Sequence, residues 1–305
     1  MNILVTGGSG MVGSSLKSRL TNADYPSSSE LDLTNQRSIE SFLSNKKYDY
    51  IIHLAAHVGN HHDNSIDKIS YLDKNIIMNT LLTKAAYEHE IKNFLGILST
   101  CIFPDQLNEY PMKEEVLHLG PPHKDLFSYG YAKRTHAVQL DSYKTMYDVN
   151  YNYLIPSNLY GIVTDSHFGR THYVNDLIFK IIKHQKSNLN ELELYGDGTP
   201  LRQFMFVEDF TLIIEQYVKK NINASFNVAP PENLSIDEIA KIAVKTCSSE
   251  NMKIVYNPSY PNGQHRKDVC ISKFRNFFPD FKFTPLNEGI KFVYDYYKDR
   301  KINEI

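Results

Sequence analysis

The chain has 305 residues, 22% charged and 42% hydrophobic, with 33 basic against 35 acidic side chains. That near-neutral balance offers no basic field for a nucleic acid or an acidic membrane, and the length suits one large α/β domain or two smaller ones. Its three cysteines include no CxxC pair, so neither a disulfide framework nor a thiolate zinc site is expected. No apolar run approaches the roughly 20 residues of a membrane helix, and Met1 leads directly into a strand-like segment, so a cytoplasmic protein is expected.

In chain order, short apolar runs at 2–6, 50–54, 94–99 and 151–156, with a weaker one at 24–28, read as strands. Helical stretches at 11–20, 37–44, 75–89 and 129–147 alternate with them. This is the pattern of βαβ units and a doubly wound, Rossmann-like parallel sheet. Beyond Gly161 the pattern loosens into loops, a helix over 174–184 and a strand over 191–195. A helix at 236–246, a strand at 252–256 and a last helix at 286–299 follow. We expect a dinucleotide-binding domain over 1–162 with a return segment near 203–229, and an interleaved, smaller substrate lobe from 163–202 and 230–305.

Gly7, Ser9, Gly10, Met11, Val12 and Gly13 lie in TGGSGMVG, which follows the first strand and opens a helix. Glycines there let the backbone approach a pyrophosphate. Alone, GxxGxxG is also a tight β-to-α turn; its place after an apolar strand, with βαβ units behind it, favours a dinucleotide. The end of the weak second strand leaves NAD and NADP both open. Serine hydroxyls at Ser28 and Ser29 suit a 2′-phosphate, whereas Glu30 would suit a free ribose 2′-hydroxyl.

Tyr129 and Lys133 share a helix face, and an ammonium beside a phenol favours the phenolate, bringing it within reach of proton exchange with a carbonyl oxygen. Tyr294/Lys298 and Tyr297/Lys301 repeat the spacing and read as a solvated helix face. The Tyr129 pair stands apart because Ser99 closes the preceding apolar strand, at the sheet end where ligands bind, and its hydroxyl suits the same carbonyl. His57, His61, His62 and Asp63 resemble a metal cluster only superficially, and no metal is expected.

In order, TGGSGMVG, HLAA at His53, Ser99, YGYAK at Tyr129 and IPSNLYG at Ile155 resemble the extended short-chain dehydrogenase/reductase family over nearly the whole chain. STCIFP at Ser99, GPPH at Gly120, YGDGTPLRQF at Tyr195 and PNGQHRKD at Pro261 are similar to its branch that 3,5-epimerises and 4-reduces GDP-4-keto-6-deoxy-D-mannose. The resemblance implies a reductase triad of Ser99, Tyr129 and Lys133, and an epimerase acid/base pair of Cys101 and His172, with His167 the neighbouring alternative. It implies NADP(H) against the glycine turn, Ser28, Ser29, Asp32, Ala55, Ala56, Pro156, Asn158, Leu159 and His172. It places a GDP-sugar against Asn158, Lys180, Tyr195, Arg202, Asn262 and Lys267, and it implies a homodimer formed through the helices near Asn75 and Tyr129.

The chemistry of the acid/base pair stands independently. Inverting carbons on either side of a ketone removes a proton from one face and returns one to the other, for which a thiol and an imidazole are suited. A lone cysteine after a strand is otherwise a small buried hydrophobe, and a lone loop histidine is otherwise only solvated. Three positions depart from the family pattern: Asn262 replaces the aspartate of a PDG segment, Ser29 a basic residue, and Tyr195 the aromatic residue, often tryptophan, of a WGSG segment. The rival readings are a colitose- or heptose-type epimerase/reductase and a non-catalytic dinucleotide sensor.

Overall fold

The structure, a computed structural model, describes residues 1–59, 66–163, 173–249 and 251–300. In chain order the elements are β1 (Ile3–Thr6), α1 (Met11–Leu16), α2 (Gln36–Ser44), β2 (Tyr50–His53), α3 (Lys68–Glu88), β3 (Asn93–Ile97) and α4 (Phe127–Met146). β4 (Asn150–Pro156), β5 (Asn158–Tyr160), α5 (Tyr173–Ser187), β6 (Glu191–Tyr195), β7 (Leu201–Arg202) and β8 (Phe204–Phe206) follow. The chain ends with α6 (Val207–Lys219), β9 (Phe226–Val228), β10 (Leu234–Ser235), α7 (Ile236–Thr246), β11 (Lys253–Asn257), α8 (Ser272–Phe277) and α9 (Leu286–Tyr297).

β1, β2, β3, β4 and β9 form a five-stranded parallel sheet in that order. β1 and β2 are buried at every residue, which is why they read as unbroken apolar runs and not as alternating ones. The expected strand over 24–28 is reduced to a single parallel bridge between Asp24 and Leu4. Pro26 has no N–H for a ladder, and Ser27 gives its N–H and hydroxyl to the Glu30 carboxylate at 2.8 and 2.7 Å. The chain still passes to the far side of β1 before crossing back to β2, so β1 lies at the topological switch point where ligand crevices form.

α3 begins at Lys68, well before the expected 75, because the Asp67 side chain caps it by accepting the Ser70 N–H at 3.1 Å. α3 packs along α4 on one face of the sheet. The second lobe has its own core of Val174, Leu177, Ile178, Ile239, Ala243, Ile290 and Val293, contributed by α5, α7 and α9. Its β6 and β11 pair in parallel. Among the described residues, no helix is long and apolar enough to cross a membrane.

Candidate active site

A cleft of about 1420 Å³ opens at the carboxyl ends of the sheet strands and extends to the second lobe. Its floor is the glycine-rich turn. Gly7 has φ +76°, and a Cβ there would lie 2.6 Å from the Ala55 nitrogen; one at Gly13 would lie 2.3 Å from the Gly7 oxygen. Gly7 thus lets the turn rest against the 54–55 segment, and Gly13 lets the turn close on itself. Gly10, which lines the cleft, is different: a Cβ there would make only an ordinary contact, 3.5 Å from the Gly7 oxygen. A backbone cradle that a methyl group would fill fits a dinucleotide pyrophosphate.

Met11, Val12, Ser28, Asp32, Ala55, Ala56, Pro156, Asn158 and Leu159 line the same cleft. Ser29 does not; its hydroxyl bonds to that of Ser27 at 2.9 Å. Glu30 is likewise spent on Ser27, whereas Asp32 faces the cleft while accepting from the Thr34 N–H and hydroxyl.

Ser99, Cys101, Tyr129 and Lys133 meet on the cleft wall. Ser99 caps a single 3-10 turn, Thr100–Ile102, which turns the chain so that Cys101 lies beside the strand end. Lys133 is buried and donates to the Ile97 carbonyl at 2.8 Å, which anchors α4 to β3. Burial lowers its pKa to about 8. The expectation that Lys133 draws the Tyr129 phenol toward neutrality is not met: burial dominates, Cys101 and Tyr71 add to it, and the phenol is raised above its ordinary value. Burial also raises the Cys101 thiol, opposed by a hydrogen bond with Ser99 and by the charges of Lys267 and Lys133.

Arg202, Lys267, Tyr195 and Asn262 also line the cleft, Lys267 close enough to Cys101 for their charges to interact. Burial lowers Arg202 to about 10, and burial together with Arg202 lowers Lys267 to about 8. Two basic groups desolvated side by side make a receptor for an anion such as a diphosphate. Asn262 is partly committed elsewhere: its Oδ1 accepts the Asp197 N–H at 2.9 Å and crowds Gly196, which has φ +81°. Lys180 does not line the cleft. It pairs with Asp176 at 3.3 Å and sits 5.0 Å from the centre of the Tyr195 ring, supporting that ring from behind.

His172, His167, His61, His62 and Asp63 lie outside the described residues. Among the described residues, no group of three His, Cys, Asp or Glu side chains could hold a metal ion. Cleft residues that sequence reasoning did not single out include His123, Asp125 and Tyr260. The Tyr260 ring stacks on Tyr195 with centroids 3.8 Å apart. His123 ends the GPPH segment, and Tyr260 directly precedes the PNG segment, so both adjoin motifs already noted.

The model of the NAD dependent epimerase/dehydratase family matches residues 3–229. GDP-L-fucose synthase of Dictyostelium discoideum is 31% identical over 300 residues, covering 95% of this chain and 92% of that protein. GDP-L-colitose synthase of Yersinia pseudotuberculosis is 30% identical over 312 residues, the whole of both chains. The structure of a GDP-L-fucose synthetase from Naegleria fowleri bound to NADP superposes with a TM-score of 0.86 at 28% identity, covering 97% of this chain and 92% of that one.

Proposed function

The chain belongs to the NAD dependent epimerase/dehydratase family, and within it we propose that this protein converts GDP-4-keto-6-deoxy-D-mannose to GDP-L-fucose with NADPH, by 3,5-epimerisation and 4-reduction. The observation that carries the reading is the continuity of one cleft from the glycine-rich turn, past Ser99, Cys101, Tyr129 and Lys133, to the cationic pair Arg202 and Lys267. A dinucleotide, a keto sugar and a diphosphate then each meet groups of matching chemistry.

In this reading Cys101 and His172 exchange the protons at C3 and C5, while Ser99 and Tyr129 donate to the oxygen that carries the enolate charge. Bound NADPH supplies the hydride to C4. Tyr129 protonates the resulting alkoxide, and Lys133, held by the Ile97 carbonyl, presents its ammonium to the nicotinamide ribose. Arg202 and Lys267 take the diphosphate, and Tyr195, held between Lys180 and Tyr260, lines the nucleotide end of the cleft. Preference for NADPH rests on Ser28, which lines the cleft, and on the NADP held by the Naegleria fowleri protein.

The colitose-type reading is favoured by the Yersinia relative, similar over its full length, and by the loss of charge at Asn262. Incubation with GDP-4-keto-6-deoxy-D-mannose or its 3-deoxy counterpart, each with NADPH or NADH, and NMR of the product decides between them. GDP-L-fucose formed with NADPH is the expected result; turnover confined to the 3-deoxy sugar would establish the colitose-type reading instead. A homodimer through α3 and α4, which expose Ile69, Ile77, Phe127 and Val138, is part of the proposal. A monomeric mass by sedimentation at micromolar concentration would contradict it.

A further inference from the structure

The buried face of α3 carries a polar stripe that apolar packing does not explain. Tyr71, Asn75, Asn79 and Thr83 repeat at four-residue spacing, so their side chains share one face, and their exposures are 5, 0, 1 and 0%. Burying amides costs free energy unless their hydrogen bonds are made; both polar atoms of Asn75 find partners, whereas Asn79 bonds through its oxygen and its buried Nδ2 finds none.

The first two positions reach the segment that follows β2, and the third reaches His53 at its end. The Tyr71 ring stacks on His57, with centroids 4.6 Å apart. Asn75 Oδ1 accepts the His57 N–H at 2.9 Å, and Nδ2 donates to the His57 carbonyl at 2.9 Å and to the Tyr71 carbonyl at 2.7 Å. One side chain thus satisfies both backbone groups of a loop residue. Asn79 Oδ1 lies 2.9 Å from His53 Nε2, and His53 Nδ1 lies 2.7 Å from the Thr6 hydroxyl.

The directions of these bonds follow from burial. Burial and the charge of Lys133 lower His53 to about 3, so the ring is neutral and carries a single proton. An amide oxygen only accepts, which puts that proton on Nε2 and leaves Nδ1 to accept from Thr6. The Thr6 oxygen then receives the Ala55 N–H at 3.4 Å. Thr6 is the last residue of β1, directly before Gly7, where a Cβ would lie 2.6 Å from the Ala55 nitrogen.

We propose that Asn75, Asn79, His53 and Thr6 act together as a buried clamp that holds the 54–57 loop against the glycine-rich turn in the geometry that receives the dinucleotide. They are positioning residues; the loop they hold forms part of the cleft wall. The proposal rests on the reading that this cleft takes a nicotinamide dinucleotide, and on nothing about the sugar.

The test compares the full chain with Asn75→Leu, Asn79→Leu and Thr6→Val. The last is nearly isosteric and keeps the experiment decisive if either asparagine variant fails to fold. Amide exchange over 54–57 is measured without added nucleotide, and NADPH affinity by fluorescence titration. The expected result is roughly tenfold faster exchange confined to 54–57 and the glycine turn, and roughly tenfold weaker NADPH binding, with exchange in β3 and β4 unchanged. Wild-type exchange over 54–57 in Thr6→Val and in whichever asparagine variants fold would overturn the clamp, as would acceleration spread evenly over the sheet. If the unaltered chain does not bind NADPH, the cofactor reading fails, while the exchange measurement still decides the clamp.

Discussion

Gly10→Ala and Gly13→Ala separate a glycine that the ligand needs from one that the fold needs. At Gly10 the backbone is extended, φ −73° and ψ 172°, which alanine adopts, and an added Cβ makes only an ordinary contact at 3.5 Å. The stability change should stay within about 1 kcal/mol, equivalent to a shift in melting midpoint of no more than about 4 °C. The methyl group nonetheless projects into the space for the pyrophosphate. Overpacking of that kind costs about 1–3 kcal/mol, so NADPH should bind roughly five- to 150-fold more weakly. At Gly13 the added carbon would sit 2.3 Å from the Gly7 oxygen and 2.6 Å from the Gly8 Cα, so backbone must move. That variant should lose about 1–3 kcal/mol of stability with or without nucleotide. Thermal melts with and without NADPH, combined with titration calorimetry, measure both quantities. Wild-type NADPH affinity in Gly10→Ala, or equal loss of stability in the two variants, would refute the assignment of the turn.

Other consequences are as direct. Tyr129→Phe should lower the rate of reduction by about 10²–10⁴ while leaving deuterium incorporation at C3 and C5 measurable by NMR, because it removes the proton donor to the alkoxide and not the thiol. Cys101→Ser should do the reverse, depressing exchange by a similar factor with NADPH affinity unchanged. Lys133 and Lys267 both titrate near 8, below the ordinary lysine value, and are charged only at lower pH. Sugar-nucleotide affinity should therefore fall as pH rises through about 8, and Lys267→Arg, which stays charged, should flatten that limb in a binding titration. Asn262→Asp would place a second carboxylate against Asp197, now held at about 2 by Thr199 and Asn262. The Asp197 pKa should rise, as NMR titration would detect, and the melting midpoint should fall.

How much of this is legible in the sequence depends on whether a feature is local. The glycine-rich turn is legible because strand, turn and helix are contiguous, and the burial of β1 follows from its apolar run. β9, only three residues long, is below the length at which an apolar run stands out, and the helix Val207–Lys219 begins directly at the end of β8 without a side-chain cap. Longer-range matters are hidden. Asn262 reads as a contact to the GDP-sugar until its partner Asp197, 65 positions away, is seen. The i, i+4 spacing of Tyr129 and Lys133 predicts their shared face correctly but conveys nothing of the burial that raises the phenol and lowers the amine. The stripe from Tyr71 to Thr83 is visible as spacing, yet its meaning requires knowing that the face is dry.

The same burial explains why a single site suits both proposed reactions. Epimerisation and reduction each develop negative charge on one oxygen, first as an enolate and then as an alkoxide, so donors arranged once, Ser99 and Tyr129, serve twice. Desolvation disfavours an isolated thiolate at Cys101 and an isolated ammonium at Lys133 or Lys267, but each charge stabilises the other. The thiol therefore raises both amines, and both amines lower the thiol. Protonation at Cys101 must shift the titration of both lysines, and Cys101→Ala should lower the apparent lysine pKa values below about 8, moving the alkaline limb of binding to lower pH. An unmoved limb in that variant would mean that the thiol and the amines act independently, and the single-site account of two chemistries would lose its electrostatic basis.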